Sequence, residues 1–287
     1  MDENISANLN HKDSVFTKLF SEPEAILGLY NAVSRSKYPP DTPIEITTLK
    51  DVFFRGRYND VSFIIDGKLI IMIEHQSSVN PNMPIRLMVY LSRIYDRLLQ
   101  KDVYSSRLVK IPHPEFIVLY NGKDDYPDEE ILKLSDAFHD LPTGHTPSGS
   151  LELTVRVLNV NKGHNPDIVE ESAELDGYAI LVDKIRANQK SGMNLGDAII
   201  KAVNDCVDKE ILAEFLRKYG SEVVNMLNAE FNLDEYGAVQ REEGKAEGVL
   251  EGLLKAAKSM LHDGDKPEKV ARCTGLPLDR VCQLQPQ

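Results

Sequence analysis

No run in the chain approaches the ~20 consecutive apolar residues that a membrane-spanning helix needs, which predicts the absence of a membrane span. The N-terminal MDENISANLNHKD lacks the basic and apolar stretches of a secretory signal, so the expected location is the cytoplasm. Cysteine is scarce: Cys206, Cys273 and Cys282 are odd in number, widely spaced, and form no C-x-x-C pair, which excludes a disulfide framework and a paired-thiolate zinc site. His11, His113, His139, His145, His164 and His262 fall at no ligand spacing. There is no Gly-rich loop of the P-loop or dinucleotide type. Positive charge is also short, with 33 Lys and Arg against 45 Asp and Glu for a net charge of −12, which taken alone argues against a nucleic-acid partner, since phosphate binding is dominated by Lys and Arg.

What charge there is, however, is unevenly placed. Residues 82–110 carry six basic side chains against Asp96 and Asp102, a local net of +4, while residues 111–180 carry fourteen acidic against four basic, a local net of −10. One basic surface on an acidic body is therefore compatible with a DNA partner. The 287 residues, 42% of them hydrophobic, are enough for one large α/β domain with appended elements.

The apolar spacing from Val15 to Val33 predicts one or two amphipathic helices with Pro23 at the break. Strand-like runs follow at 44–54, 58–65 and 69–76, the last two joined by Asp66-Gly67. A helix is predicted from Pro84 to Leu99, then strands at 115–120 and 151–159 around an acidic excursion at 122–149. Within that excursion Asp124, Asp125, Asp128, Glu129 and Glu130 lack the order of a calcium loop and read as a solvated acidic loop. Helical spacing then predominates at 166–189, 194–206, 208–218 and 221–230. Glu-Gly recurs at period four over 243–252, which suits either a loosely helical spacer or close helix–helix contact in a homodimer. Residues 266–284 predict two short helices about Thr274-Gly275, with Val270, Ala271, Leu276 and Val281 buried. The expected organisation is a core over 1–165, helical elements over 166–235, and a spacer with a helix-turn-helix-like tail over 236–287.

The chemistry is concentrated in Asn59–Gln76. Glu74 and Gln76 are two apart and share one face of a strand that is otherwise apolar, and a buried carboxylate there needs a partner or a metal. Whether Asp60 joins them depends on the hairpin. A two-residue turn would place Asp60 opposite Ile73, on the wrong face, whereas a three-residue connection with Gly67 left-handed pairs it with Met72 or Glu74. Two convergent carboxylates and a nearby carbonyl form a hard oxygen site for Mg²⁺ or Mn²⁺, the setting for phosphodiester hydrolysis. Gln76 can orient a water or phosphate oxygen but supplies no charge. His75 alternates with Glu74 and should pack on the opposite face.

On the next helix Arg86, Tyr90, Arg93 and Arg97 are spaced 4, 3 and 4 apart, giving a stripe suited to phosphate contact beside an apolar stripe of Leu87, Leu91, Ile94 and Leu98. The alternative is a solvated face with snorkelling arginines.

Asp60 followed by Glu74-x-Gln76 resembles the PD-(D/E)xK phosphodiesterase motif, with Gln where the motif carries Lys. More specifically, KDSVFTKLF, LYNAV, NDVSF, IEHQSSVNPNMPIRLMVYL and IPHPEFIVLYNG resemble the bacterial recombination-promoting nuclease/putative transposase family, from about residue 10 to about residue 235, and the EEGKAEG segment beyond is similar to its members too. The resemblance implies a restriction-endonuclease-like αβββαβ core and metal-dependent DNA endonuclease activity associated with recombination or mobile elements. It places Asp13 at the family's acidic position on the first helix, supporting the site, where helix capping is the competing role. A catalytically weak DNA-binding or regulatory module on the same fold is the alternative.

Overall fold

A computed structural model describes residues 14–47, 60–139 and 151–284. Two compact units divide it, residues 1–230 and residues 231–287.

The first unit begins with two short helices, α1 (Val15–Leu19) and α2 (Pro23–Ser34). The Ser14 hydroxyl caps α1 by accepting from the Thr17 N–H at 3.0 Å, and Pro23 opens α2 at a position where its missing N–H costs nothing. Strands β1 (Ile44–Ile46), β2 (Val61–Ile65) and β3 (Leu69–Gln76) follow, then helix α3 (Met83–Leu99) and β4 (His113–Tyr120). The last strands are β5 (Glu129–Lys133) and β6 (Thr154–Asn159). They form one mixed sheet in the order β1-β2-β3-β4-β6-β5, with β3, β4 and β6 parallel and the rest antiparallel. The chain is of the α/β class.

The β2–β3 hairpin sets the register. Asp66 and Gly67 are both left-handed, at φ 49° and 64°, and the Lys68 N–H donates to the Ile65 carbonyl at 2.9 Å. Ile65 pairs with Leu69 and Val61 with Ile73, so the connection has three residues and continuing the ladder sets Asp60 opposite Glu74. The shorter turn would have turned Asp60 to the other face.

Strand β3 is buried on both faces, as a parallel strand between helical layers should be. On one face Met83, Leu87, Tyr90 and Ile94 of α3 pack in a single cluster with Ile64, Ile70, Met72, Phe116, Val118, Tyr120, Val155 and Val157. On the other, Phe16 of α1 stacks on His75, and Tyr30 of α2 meets Phe63 edge-on. Tyr178 of α5 (Ala173–Lys190) closes the same face against Phe16 and His75.

Several elements differ from expectation. The excursion at 122–149 contains β5, which pairs antiparallel with β6 at the sheet edge and buries little of its surface, so it shows none of the alternation that marks a strand. The helix expected over 166–189 is two, α4 (Pro166–Val169) and α5, because Ser172 caps a new start. After α6 (Leu195–Asp208), the segments 208–218, 221–230 and 243–252 do not alternate with loops: from Ala213 they form one helix, α7 (Ala213–His262). Gly248 and Gly252 have open space where a Cβ would stand, so the helix tolerates them without a packing partner among the described residues. Of the strand expected at 44–54, β1 is Ile44–Ile46, and most of the remainder lies outside the described residues.

In the second unit α7 ends beside α8 (Pro267–Thr274) and α9 (Leu278–Cys282). Ala257, Val270, Leu276 and Val281 form its small core, and left-handed Gly275, at φ 72°, caps α8. Among the described residues no helix is long and apolar enough to cross a membrane.

Candidate active site

The site is built at the carboxyl end of β3, where ligands of open parallel sheets are commonly received. Asp60 immediately precedes β2, and its Oδ2 accepts a hydrogen bond from the His75 N–H at 2.7 Å. That bond fixes the carboxylate beside β3 at the level of Glu74.

Glu74 is 3% exposed. Its Oε2 receives Nη2 of Arg86 at 3.3 Å, while Oε1 is buried and has no hydrogen-bond partner among the described residues. Burial pushes the Glu74 carboxyl well above the usual range, the Asp60 charge adds to the rise, and Arg86 opposes it. Asp60 is raised too, by burial first, against the His75 N–H and Arg86. Two carboxylates whose ionisation burial opposes, Glu74 also feeling the Asp60 charge and keeping one oxygen without a partner among the described residues, form a site short of positive charge.

Arg86 supplies part of it from the first turn of α3, and Nη2 also donates to the Tyr90 hydroxyl at 3.3 Å. Tyr90 belongs to the core stripe rather than the outward one: its ring is 2% exposed, so it is no stacking platform for a base. The fully buried stripe is Met83, Leu87, Tyr90 and Ile94; of the expected Leu87, Leu91, Ile94 and Leu98, Leu91 packs against it partly buried and Leu98 is left at 36% exposure. Tyr90 joins the buried stripe because its ring packs within the apolar cluster while its hydroxyl accepts from Arg86. Arg93 is half-buried, and Arg97 donates to the Thr47 carbonyl at 2.8 Å. Gln76 follows Glu74 on the same face, half-buried. Asp13 lies outside the described residues.

His75 faces the other way, stacked on Phe16 with ring centroids 4.6 Å apart and edge-on to Tyr178 at 5.2 Å. Burial, then the Arg186 charge, lowers its pKa to about 3, so the ring is neutral. It anchors the strand whose N–H holds Asp60.

Sequence reading missed a polar cluster at the carboxyl ends of β4 and β6. Arg186 of α5 donates to Asn161 Oδ1 at 2.7 Å and to the Asn121 carbonyl, and Asn161 Nδ2 donates to Asn159 Oδ1 at 2.9 Å. The signal available was asparagine at two strand ends, in LYNG and LNVN. Gly122 beside it is required by close approach: a Cβ would fall on the Ser77 carbonyl oxygen and the Tyr120 ring. Gly122→Ala is therefore expected to cost about 1–3 kcal/mol, an overpacking cost, read as a lower urea midpoint with unchanged slope.

Among the described residues no group of three or more His, Cys, Asp or Glu converges. The residues present nonetheless fit a hard divalent cation, because Glu74 keeps an unpartnered oxygen opposite Asp60, and Mg²⁺ ordinarily takes only one or two protein carboxylates with water and phosphate completing its shell.

A family model described as "Putative transposase, YhgA-like" matches residues 51–210, more than half of the chain. The chain belongs to this family. The match spans Asp60, Glu74, Gln76 and all of α3, so the strand end and the helix over it are both within what YhgA-like proteins share. The family description associates the chain with mobile elements and DNA. Comparison with curated proteins and with solved structures gives no match.

Proposed function

We propose that this YhgA-like protein is a metal-dependent DNA endonuclease that hydrolyses phosphodiester bonds at the carboxyl end of β3. The observation that carries the reading is the buried Glu74 carboxylate, with one oxygen unpartnered, opposite an Asp60 held by the His75 N–H. The order α-β-β-β-α-β from α1 and α2 through β4 supports a restriction-endonuclease-like core of the PD-(D/E)xK type.

Asp60 and Glu74 would hold Mg²⁺ or Mn²⁺, which supplies Lewis acidity and an acidified water. The protein's own groups do the rest. The His75 N–H keeps Asp60 in place, and the Gln76 carboxamide orients the attacking water or a phosphate oxygen through hydrogen bonds. Arg93 and Arg97, about one and two turns beyond Tyr90 on α3, would offer guanidinium groups to the DNA backbone. Arg93→Ala is accordingly expected to weaken DNA binding and to reduce the slope of log affinity against log salt by about one, as loss of a single phosphate contact does. Fluorescence anisotropy at several salt concentrations measures it, and an unchanged slope returns Arg93 to the solvated-face role.

The test of the function is the full chain on supercoiled plasmid with Mg²⁺, Mn²⁺ or chelator. Nicked circles are expected only with cation. DNA binding without nicking under every condition would favour the module without cleavage, a reading that the uncharged Gln76 gives its best support.

A further inference from the structure

The Arg86–Glu74 contact is loose for a pair of opposite charges in a buried place. Nη2 stands 3.3 Å from Oε2, whereas the exposed pairs Arg35–Asp167 and Arg217–Glu210 close to 2.6 Å. Charge-assisted pairs normally lie at about 2.7–2.9 Å, and buried ones repay desolvation only with good geometry. The other contacts recorded for the guanidinium are weak as well: Nη1 meets the Met83 thioether at 3.4 Å and Nη2 the Tyr90 hydroxyl at 3.3 Å. The side chain also bridges two environments, since Glu74 is 4% exposed and Arg86 is 41% exposed. It is thus a cation with one end on the carboxylate pair and a path to solvent, committed to neither.

We propose that Arg86 is a charge-exchange residue: it neutralises Glu74 while no divalent cation is present, and once one binds it turns outward to contact the scissile phosphate. The inference rests on the proposed metal-dependent nuclease reading. Its physical basis is that two cations on one carboxylate, Arg86 at Oε2 and a metal at Oε1, repel each other across a few ångströms, and that the 41% exposed Arg86 side chain has a path to the solvent from which an anion arrives. In cleavage the phosphate gains negative charge beside two carboxylates, and Gln76 offers none to balance it, so a forked cation there stabilises the transition state more than the ground state.

Displacement of Arg86 makes a specific demand: removing it should strengthen metal binding while weakening cleavage. Calorimetric titration of the metal-free full chain with Mn²⁺, without DNA, is expected to show Arg86→Met and Arg86→Gln binding on the order of tenfold more tightly than wild type, the range of an ordinary coupling between two ligands. Plasmid nicking at saturating Mn²⁺ should fall on the order of 10²-fold in the same variants. Arg86→Lys, which keeps the charge and loses the fork, should leave Mn²⁺ affinity near wild type and cleave more slowly. Two neutral variants guard against one that fails to fold, with circular dichroism as the check. Mn²⁺ bound equally or more weakly by folded Arg86→Gln would overturn the exchange while leaving the nuclease reading standing. A wild-type chain that neither binds Mn²⁺ nor nicks DNA would overturn that reading, and the exchange with it.

Discussion

Glu74→Gln is expected to make the metal-free protein more stable at pH 7 and to abolish metal-dependent cleavage. The carboxylate is 3% exposed and its ionised form is opposed by both burial and Asp60. The amide occupies the same volume without a charge, and Arg86, being 41% exposed, can be served by water when its partner is neutral. A rise of roughly 2–4 °C in Tm, about 1 kcal/mol for a domain of this size, is expected.

Asp60→Asn should behave alike, with a defined pH signature. The Asp60 carboxyl is raised from 3.8 to about 6, so the wild-type protein binds this proton more tightly folded than unfolded. That contribution to stability is fully present below 3.8 and is lost as pH rises through about 6. The stability gap between Asp60→Asn and wild type should therefore be widest above pH 6 and close as pH falls towards 4. His75 acts oppositely: held neutral with its pKa lowered to about 3, it favours the fold above 6.5 and costs stability as pH falls below that value. It is common to both proteins, and its effect cancels in the difference. Mg²⁺ or Mn²⁺ should raise the Tm of wild type and leave Glu74→Gln and Asp60→Ala unmoved, because ligand stabilises only a fold that binds it. Nicking by a folded Glu74→Gln protein at the wild-type rate, or a fall in its Tm, would remove Glu74 from the proposed role.

How far the sequence carries depends on what decided each feature. The approach of Asp60 to Glu74 was legible because one local choice, the length of the turn at Asp66–Lys68, determines which face Asp60 takes. The opposite face of His75 followed from strand alternation alone. The face of α3 was less legible. Tyr90 and Leu91 are adjacent and both pack against the core, and only the tertiary cluster with Met72, Val118 and Tyr120 makes Tyr90 the fully buried one. Edge strand β5 has charged residues at 129, 130 and 133 and pairs on one side, so hydrogen bonding to β6 defines it, not burial. Helix α7 runs on from Ala213 through segments expected from the sequence to be separate, since single glycines cost a helix only about 1 kcal/mol each. Arg186 meets Asn121 and Asn161 from 65 and 25 residues away, and no local pattern could bring them together.

In the proposed reaction Gln76 would separate holding the cation from using it. It lies two residues beyond Glu74 on the same strand face, at the half-buried end of β3, where a carboxamide can reach a water or phosphate oxygen but adds no charge. Gln76→Ala should therefore leave Mn²⁺ binding by Asp60 and Glu74 largely intact and slow cleavage by about 10²–10³, the usual loss when a hydrogen-bonding group at a reacting oxygen is removed. Gln76→Lys should keep activity or raise it. Asp60 and Glu74 when ionised balance the divalent cation, so an ammonium at the open end of the strand would be met by the phosphate of bound DNA rather than by the carboxylates. The measurement is the single-turnover nicking rate of each variant at saturating Mn²⁺, with calorimetry to verify loading. Equal rates for Gln76→Ala and wild type would take Gln76 out of the reaction, and Gln76→Lys slower than Gln76→Ala would show that the site rejects a second cation.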